Sequence, residues 1–170
     1  MQLPDSIRIR PVAAISALLF GAAFLASLIL FFADDQRWTR RVLFFPVLNA
    51  IQLAGEERLL LKKDSMEEDI ESFVRDLILG PKQHGHLSVL PSSVTIESIL
   101  LRQRILYLNL SEDILFRDSP IPLNLEEMLQ AVANNILFNF PRVRDVFVFV
   151  GGQIPRSVDE PLRYSRELVR

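Results

Sequence analysis

The hydrophobic and polar positions of the chain form one long apolar run, followed by shorter segments with regular periods. Residues 11–33 carry no charged side chain, and Leu, Ile, Val, Phe and Ala fill nearly every position. At about 1.5 Å per residue, a helix over this run spans roughly 34 Å, enough to cross a hydrocarbon core of about 30 Å. The run therefore predicts a transmembrane anchor.

A cleaved signal peptide and a buried core helix are the two alternatives for residues 11–33. The apolar stretch of a signal peptide usually has about 7–15 residues and ends at small residues. Gly21-Ala22-Ala23 resembles such a site, but the apolar run continues beyond it to Phe32. A core helix needs polar positions that this run lacks. We therefore predict an uncleaved anchor, with a cleaved signal peptide as the main alternative.

The charges that flank the run favour an extracytoplasmic location for the rest of the chain. Arg8 and Arg10 precede it, and Asp34 and Asp35 follow it. Because cytoplasmic flanks are enriched in Lys and Arg, we expect residues 1–10 to lie in the cytoplasm. The contrast is weakened by three basic residues on the far side, Arg37, Arg40 and Arg41. The prediction is a single-pass cell-membrane protein.

Beyond the run, segments with a period of two alternate with segments that have a helical period. One helix begins after Ser65, where Glu68 completes a capping pattern, and a second begins after Asn124, with Glu127 three residues later. Strands are predicted at residues 41–48, 58–62, 94–101, 104–110 and 143–150. The order β-β-α-β-β-α-β predicts an α+β fold, with two amphipathic helices on one face of a mostly antiparallel sheet.

These elements divide the chain into five parts. After the cytoplasmic N-terminus and the anchor come a polar juxtamembrane linker at residues 34–40, a domain at 41–154 and a loose C-terminal tail at 155–170. Trp38 in the linker either lies at the membrane interface or packs on the domain.

Four landmarks of the domain occur in a recognisable order. They are residues 76–81 (Asp-Leu-Ile-Leu-Gly-Pro), 89–94 (Val-Leu-Pro-Ser-Ser-Val), 106–111 (Leu-Tyr-Leu-Asn-Leu-Ser) and 140–152, which run from Phe-Pro through a strand to Gly-Gly. In order and spacing they resemble the GerMN domain of the spore germination protein GerM family, over residues 38–153. The chain departs from that pattern at Asn109 and Gly151, where the family commonly has Asp, and lacks a Thr late in the second helix.

The resemblance implies an extracytoplasmic domain without known catalytic activity, similar to the ring-building modules of envelope-spanning machines and implicated in sporulation and germination. Many members are lipoproteins, which a chain without cysteine cannot be. The absence of cysteine also excludes disulfides and thiolate metal sites. A net charge of −2 with scattered basic residues argues against nucleic-acid binding.

Few residues suggest chemistry of their own. His84 and His86 could begin a metal site, but zinc usually needs three or four protein ligands, so a solvated loop is favoured. Ser92, Ser93 and Ser111 lack a Gly-x-Ser-x-Gly or Ser-x-x-Lys context. Acidic residues in first helical turns, at 67–69 and 126–127, complement helix dipoles, and the glycines at 80 and 151–152 are not phosphate loops. We predict no catalytic, metal or cofactor-binding residue.

The last predicted strand alternates valine with Phe147 and Phe149, so one of the two sets faces the core. We favour ordinary core packing for the phenylalanines. The alternative is an exposed apolar face that they form with Phe44 or Phe45 against a partner subunit.

The function predicted from these features is a non-enzymatic, membrane-anchored GerMN-like module for protein–protein contacts or envelope assembly. Its expected partners are envelope or membrane proteins, or further copies of itself in an oligomer or ring, with peptidoglycan also considered. The alternative is a peptidoglycan-binding or cell-wall-processing accessory domain. A glycan binder should line a groove with aromatic side chains, whereas Trp38, Tyr107 and Tyr164 are dispersed in the sequence.

Overall fold

The computed structural model of the chain describes residues 11–33, 38–48, 53–116, 121–157 and 160–165. It divides into two compact units, with the boundary between Arg37 and Trp38. The cytoplasmic N-terminus predicted at residues 1–10 and most of the predicted linker lie outside the described residues.

The first unit contains helix α1, Pro11–Ala33, as the apolar run predicts. Its segment Ala13–Phe31 is long and apolar enough to cross a membrane, a test that a signal sequence near the N-terminus also meets. Large apolar side chains such as Leu18, Phe20 and Phe24 are exposed along the helix.

The second unit is an α+β domain. In chain order its elements are β1 (Trp38–Pro46), β2 (Leu53–Leu61), α2 (Met66–Ile78), β3 (Ile96–Arg102), β4 (Ile105–Leu110), a 3₁₀ helix (Glu112–Leu115), α3 (Leu125–Asn139), β5 (Asp145–Val150), β6 (Arg156–Ser157), β7 (Glu160–Pro161) and β8 (Arg163–Ser165). The predicted order β-β-α-β-β-α-β is therefore confirmed from β1 to β5.

The main strands form two sheets where the sequence suggested one. β1 and β2 pair as an antiparallel hairpin, and a separate sheet has the strand order β3-β4-β5-β8. β4 and β5 are parallel because α3 crosses between them, and the other pairs are antiparallel. The sheet structure is thus mostly antiparallel, as predicted, but it is divided.

Both amphipathic helices contribute to one hydrophobic core. The inward positions of the four-stranded sheet are Leu106, Leu108 and Leu110 of β4 and the three valines of β5. The predicted caps are confirmed, since the Ser65 hydroxyl accepts from the Glu68 N–H at 3.1 Å and Asn124 and Glu127 form a reciprocal capping box. These caps satisfy N–H groups that the first helical turn leaves unpaired.

The segment predicted as a loose tail is in part a strand. β8 pairs with β5, placing Arg163 opposite Phe147, and the fully buried Asp145 carboxylate binds Arg163 at 3.0 Å. Leu162 and Tyr164 are partly buried against the core. In the sequence these two side chains are separated by the charged Arg163 and stand in a segment rich in charges and prolines, which hides the strand.

The predicted linker also ends earlier than expected, because β1 begins at Trp38.

Candidate functional site

The two histidines are in different environments. His84 is exposed, whereas His86 is largely buried, with its Nδ1 atom 2.9 Å from Oε1 of Glu56. Among the described residues, no group of three or more His, Asp or Glu side chains is placed to hold a metal ion. His86 therefore belongs to a buried network that the sequence did not suggest.

That network, here called the buried ion cluster, consists of Glu56, Arg58, Asp76 and His86. Glu56 and Arg58 come from the inward face of β2, and they are 3% and 5% exposed. The Arg58 guanidinium donates to the Glu56 and Asp76 carboxylates at 2.9 Å each, and to the Gly80 carbonyl at 2.7 Å. Every charge in the cluster therefore has an opposite charge or a dipole beside it, as burial requires.

The buried ion cluster fixes the loop that follows α2. The Glu56 carboxylate accepts hydrogen bonds from the backbone N–H groups of Lys82 and Gln83, at 3.1 and 3.0 Å. The loop also pairs with the end of β1, where the Leu48 N–H donates to the Gly85 carbonyl at 2.8 Å. Gly80, with φ +84°, makes the turn that an L side chain would strain. The Gly-Pro landmark is thus the start of a loop held by an internal carboxylate.

The hydrogen bonds also set the charge state of Glu56. Burial alone would raise the pKa of its carboxyl, but donors from Lys82, Arg58, Gln83 and His86 outweigh burial and lower the pKa to about 2. Glu56 is therefore ionised throughout the physiological range. It acts as a fixed acceptor, and its pKa is far below the value that general acid–base catalysis near neutral pH requires.

Two asparagines of α3 take the place of a strand beside β1. Asn135 accepts from the Phe44 N–H at 2.8 Å and donates to its carbonyl at 3.1 Å, and Asn139 makes the same pair of bonds to Val42 at 2.9 and 2.6 Å. The spacings match, because four helical residues rise about 6 Å and two strand residues about 6.7 Å. This ladder covers the edge of β1, which explains why the hairpin stays separate from the four-stranded sheet.

Beside this ladder lies a pocket of about 420 Å³, here called the Arg41 pocket. The Arg41 guanidinium donates to the Asn139 carbonyl and binds the Asp69 carboxylate at 2.9 Å. It also lies over the Phe140 ring, 4.1 Å from the centroid. The rest of the lining comes from residues 62–66, Pro141 and Arg142.

The four-stranded sheet has a second face, opposite the helices, here called the outer sheet face. One row of residues crosses all four strands in register: Leu100, Tyr107, Phe147 and Arg163. Phe149 lies on the same face, and the rings of Tyr107 and Phe147 stack with centroids 5.7 Å apart. The valines of β5 are the set that faces the core, so Phe147 and Phe149 are half-exposed.

The other predicted phenylalanines do not join this surface. Phe45 is fully buried in the core, and Phe44 packs edge-on against Phe138 of α3, with ring centroids 4.8 Å apart. The outer sheet face is therefore built by β3, β4, β5 and β8 alone.

The candidate nucleophiles have structural roles or lie in a turn. Ser111, at the N-cap of the 3₁₀ helix, accepts from the Thr95 N–H at 3.1 Å and donates to the Asp113 carboxylate at 2.8 Å. Ser92 and Ser93 are exposed in a turn.

Two of the three departures from the GerMN pattern, Asn109 and Gly151, lie close together. Asn109 accepts from the Gly152 N–H at 2.9 Å and donates to the Glu97 carboxylate at 2.7 Å, so an aspartate would repel Glu97. Gly151 has φ +55°, and a Cβ there would lie 2.4 Å from the Glu112 side chain.

Several structurally decisive residues had only weak signals in the sequence. Asn135 and Asn139 lie four residues apart on the apolar stripe of a predicted helix. Because buried amides are hydrogen-bonded, their position should have indicated that both side chains have partners elsewhere in the domain. Asp145 is another example. Burial would raise the pKa of its carboxyl, but hydrogen bonds from Arg144, Arg163 and Ser165 hold the pKa below its ordinary value.

The described part of the second unit is thus a small α+β domain, held together by buried polar networks and exposing an aromatic sheet face. No protein-family model and no curated protein matches the sequence. Among solved structures, the chain is similar to the first GerMN domain of the sporulation protein GerM from Bacillus subtilis. The identity is 16% and the TM-score 0.58, over 76% of this chain and 98% of that domain.

The chain is also similar to the tandem GerMN domains of the same protein. Here the identity is 18% and the TM-score 0.58, and the match covers 78% of this chain but only 46% of the tandem structure. The chain therefore has a GerMN-like fold and matches about half of the tandem structure. This confirms the fold that the four sequence landmarks indicated.

Proposed function

We propose that the chain is a membrane-anchored, non-enzymatic module whose GerMN-like domain binds a partner protein of the cell envelope, or a further copy of itself, outside the cytoplasm. Helix α1 is the anchor in this proposal. Its exposed apolar side chains, including Leu18 and Phe20, favour a lipid environment over water. A partner in the same membrane then meets the domain at a raised effective concentration.

The outer sheet face is the observation that carries this proposal. Its aromatic side chains are grouped on one side of the sheet, whereas the other side is covered by α2 and α3. Half-exposed aromatic residues on a rigid sheet are typical centres of protein interfaces. Leu100, 45% exposed, and Arg163 extend the surface in both directions along the same row.

Peptidoglycan binding is the alternative, and the positions of the aromatic residues support it less. Trp38 lies on the hairpin, Tyr107 on the outer sheet face, and Tyr164 is partly buried on the core side of β8. These three side chains do not line one groove. Burial and the Glu126 carboxylate raise the pKa of Tyr164 to about 12, which is consistent with a packing role.

Site-specific photocrosslinking in membranes tests the proposal. A photoreactive phenylalanine analogue placed at Phe149 of the full-length chain should give one discrete adduct in native membranes. The matched control is the same analogue at Gln130, an exposed position of α3, which should give none. We expect the adduct to disappear when Phe147 is changed to Asp, because a charge would then lie within the proposed interface.

Mass spectrometry of the adduct identifies the partner or a second copy of the chain. Equal labelling from positions 149 and 130, or no adduct from 149, would contradict the proposal. Sedimentation with purified peptidoglycan that survives the Phe147→Asp change would favour the alternative.

A further inference from the structure

We propose that the Arg41 pocket binds a phosphate group, and that its natural source is the headgroup of an anionic phospholipid. The inference deepens the proposed function, because it rests on α1 acting as the membrane anchor. The Arg41 pocket shares no lining residue with the outer sheet face, so its ligand would be separate from the proposed protein partner.

The charge at the opening of the pocket favours an anion. Arg41 and Asp69 neutralise each other across 2.9 Å, with both side chains largely buried. At the exposed rim this leaves three cations, Lys62, Lys63 and Arg142, against the single carboxylate of Asp64. The rim therefore carries a surplus of two positive charges, although the whole chain is acidic, with a net charge of −2.

The inner part of the pocket is rigid and partly apolar. Phe140 is 3% exposed and packs edge-on against Phe73, with ring centroids 5.4 Å apart. Arg41 is fixed over the Phe140 ring by its bonds to Asn139 and Asp69. A ligand with a phosphate and a short carbon backbone matches cations at the rim and an aromatic wall below.

The position of the rim in the chain points to the membrane as the source. Trp38, the first residue of β1, is paired with Leu61, so Lys62 follows directly at the end of the hairpin where the chain arrives from α1. Only residues 34–37 separate α1 from β1 in the sequence. An α1 that spans a bilayer would therefore tether the domain to a surface of lipid phosphates through a short segment of chain.

Both types of cation at the rim suit this ligand. Lysine binds phosphate as a point charge, and arginine can donate two parallel hydrogen bonds to it. Each cation near an anionic lipid surface strengthens binding severalfold. The exposed Trp38 beside the rim is a residue type that is enriched at membrane interfaces.

A titration of the full-length chain in uncharged detergent micelles tests this inference. The probes are dihexanoyl phosphatidylglycerol, dihexanoyl phosphatidylcholine and inorganic phosphate, and the readout is the amide NMR shifts of Lys62, Lys63 and Arg142. We expect saturable shifts with phosphatidylglycerol and much weaker binding of the zwitterionic lipid. Lys62→Gln with Lys63→Gln should weaken phosphatidylglycerol binding by about 30-fold, because each of the two cations strengthens binding to the anionic headgroup by about fivefold.

The matched control removes the same charge elsewhere, through Lys82→Gln with Arg102→Gln, and should leave the affinity unchanged. The dispersion of the amide spectrum verifies that both variants are folded. Saturable binding of inorganic phosphate as tight as that of phosphatidylglycerol would support phosphate recognition and assign the source to soluble phosphate. No saturable shift with any probe, or equal losses in both double variants, would overturn the inference.

The micelle titration requires neither a particular side of the membrane nor a protein partner. A failed crosslink at Phe149 would therefore leave its outcome intact, and a failed titration would leave the crosslinking result intact.

Discussion

Replacing Glu56 with Ala should lower the free energy of unfolding by about 3–5 kcal/mol at neutral pH, the cost typical of breaking a buried ion pair. The Arg58 guanidinium, 5% exposed, would lose its carboxylate partner at 2.9 Å and keep only Asp76 as a counter-charge. The N–H groups of Lys82 and Gln83 would lose their acceptor as well. Urea unfolding of the full-length chain in micelles, followed by the fluorescence of Trp38, measures the change.

Glu57→Ala is the matched control, one residue away on the same strand. Glu57 is exposed and lies 3.5 Å from Arg40, so its removal should cost less than about 1 kcal/mol. Similar losses for both variants would mean that the buried ion cluster does not hold the loop after α2.

The Glu56 effect should also depend on pH. Its pKa in the folded chain is about 2, below the ordinary value of 4.5, so its contribution is complete above pH 4.5 and is lost as the pH falls towards 2. Linkage between that shift and folding corresponds to about 3 kcal/mol. The stability difference between the native chain and Glu56→Ala should therefore shrink by about that amount between pH 5 and pH 2. A difference that is constant with pH would contradict the lowered pKa.

Replacing Asn135 with Leu should lower the free energy of unfolding by about 2–4 kcal/mol. Leu is similar in size to Asn but cannot form hydrogen bonds, so buried backbone groups would be left without partners. Phe44 would lose both of its bonds to Asn135, at 2.8 and 3.1 Å, along the covered edge of β1. In the variant, the hydrogen-exchange rate of the Phe44 amide should rise, while amides in the core of the four-stranded sheet stay protected. Amide exchange and urea unfolding together measure both effects.

Asn134→Leu is the control for this substitution. Asn134 precedes Asn135 in α3 and is half-buried, and we expect its replacement to change stability by no more than about 0.5–1 kcal/mol. If Asn135→Leu also stays within that range, the amide ladder does not hold the hairpin in place.

Local features of the fold could be predicted from the sequence because their signals are local. The N-caps at Ser65 and Asn124 bond to N–H groups three residues away, and the apolar period fixes the helices that follow. The α+β class follows from the order of such elements, and the GerMN-like fold was indicated by the resemblance of four local landmarks to that family. The alternation in β5 likewise showed that valine and phenylalanine face opposite sides, but not which side the helices cover.

The remaining features depend on pairs of residues far apart in the chain. Glu56 precedes the strand predicted at residues 58–62, and only long-range hydrogen bonds, such as that from the amide of Lys82, make it an internal acceptor. The division into two sheets depends on Asn135, which contacts β1 from 91 residues away. The Arg41 pocket likewise combines β1, α2 and the end of α3. No periodicity within one segment reports such contacts.

Because the chain has no cysteine, single introduced cysteines can test whether α1 spans the membrane and leaves the domain outside. Ser92→Cys lies in an exposed turn of the domain, and Ser6→Cys precedes α1. A membrane-impermeant maleimide should label position 92 in intact spheroplasts and position 6 only after lysis, on a protein that retains its N-terminus. Labelling of position 92 only after lysis, or mature protein that begins after Ala23, would contradict the account.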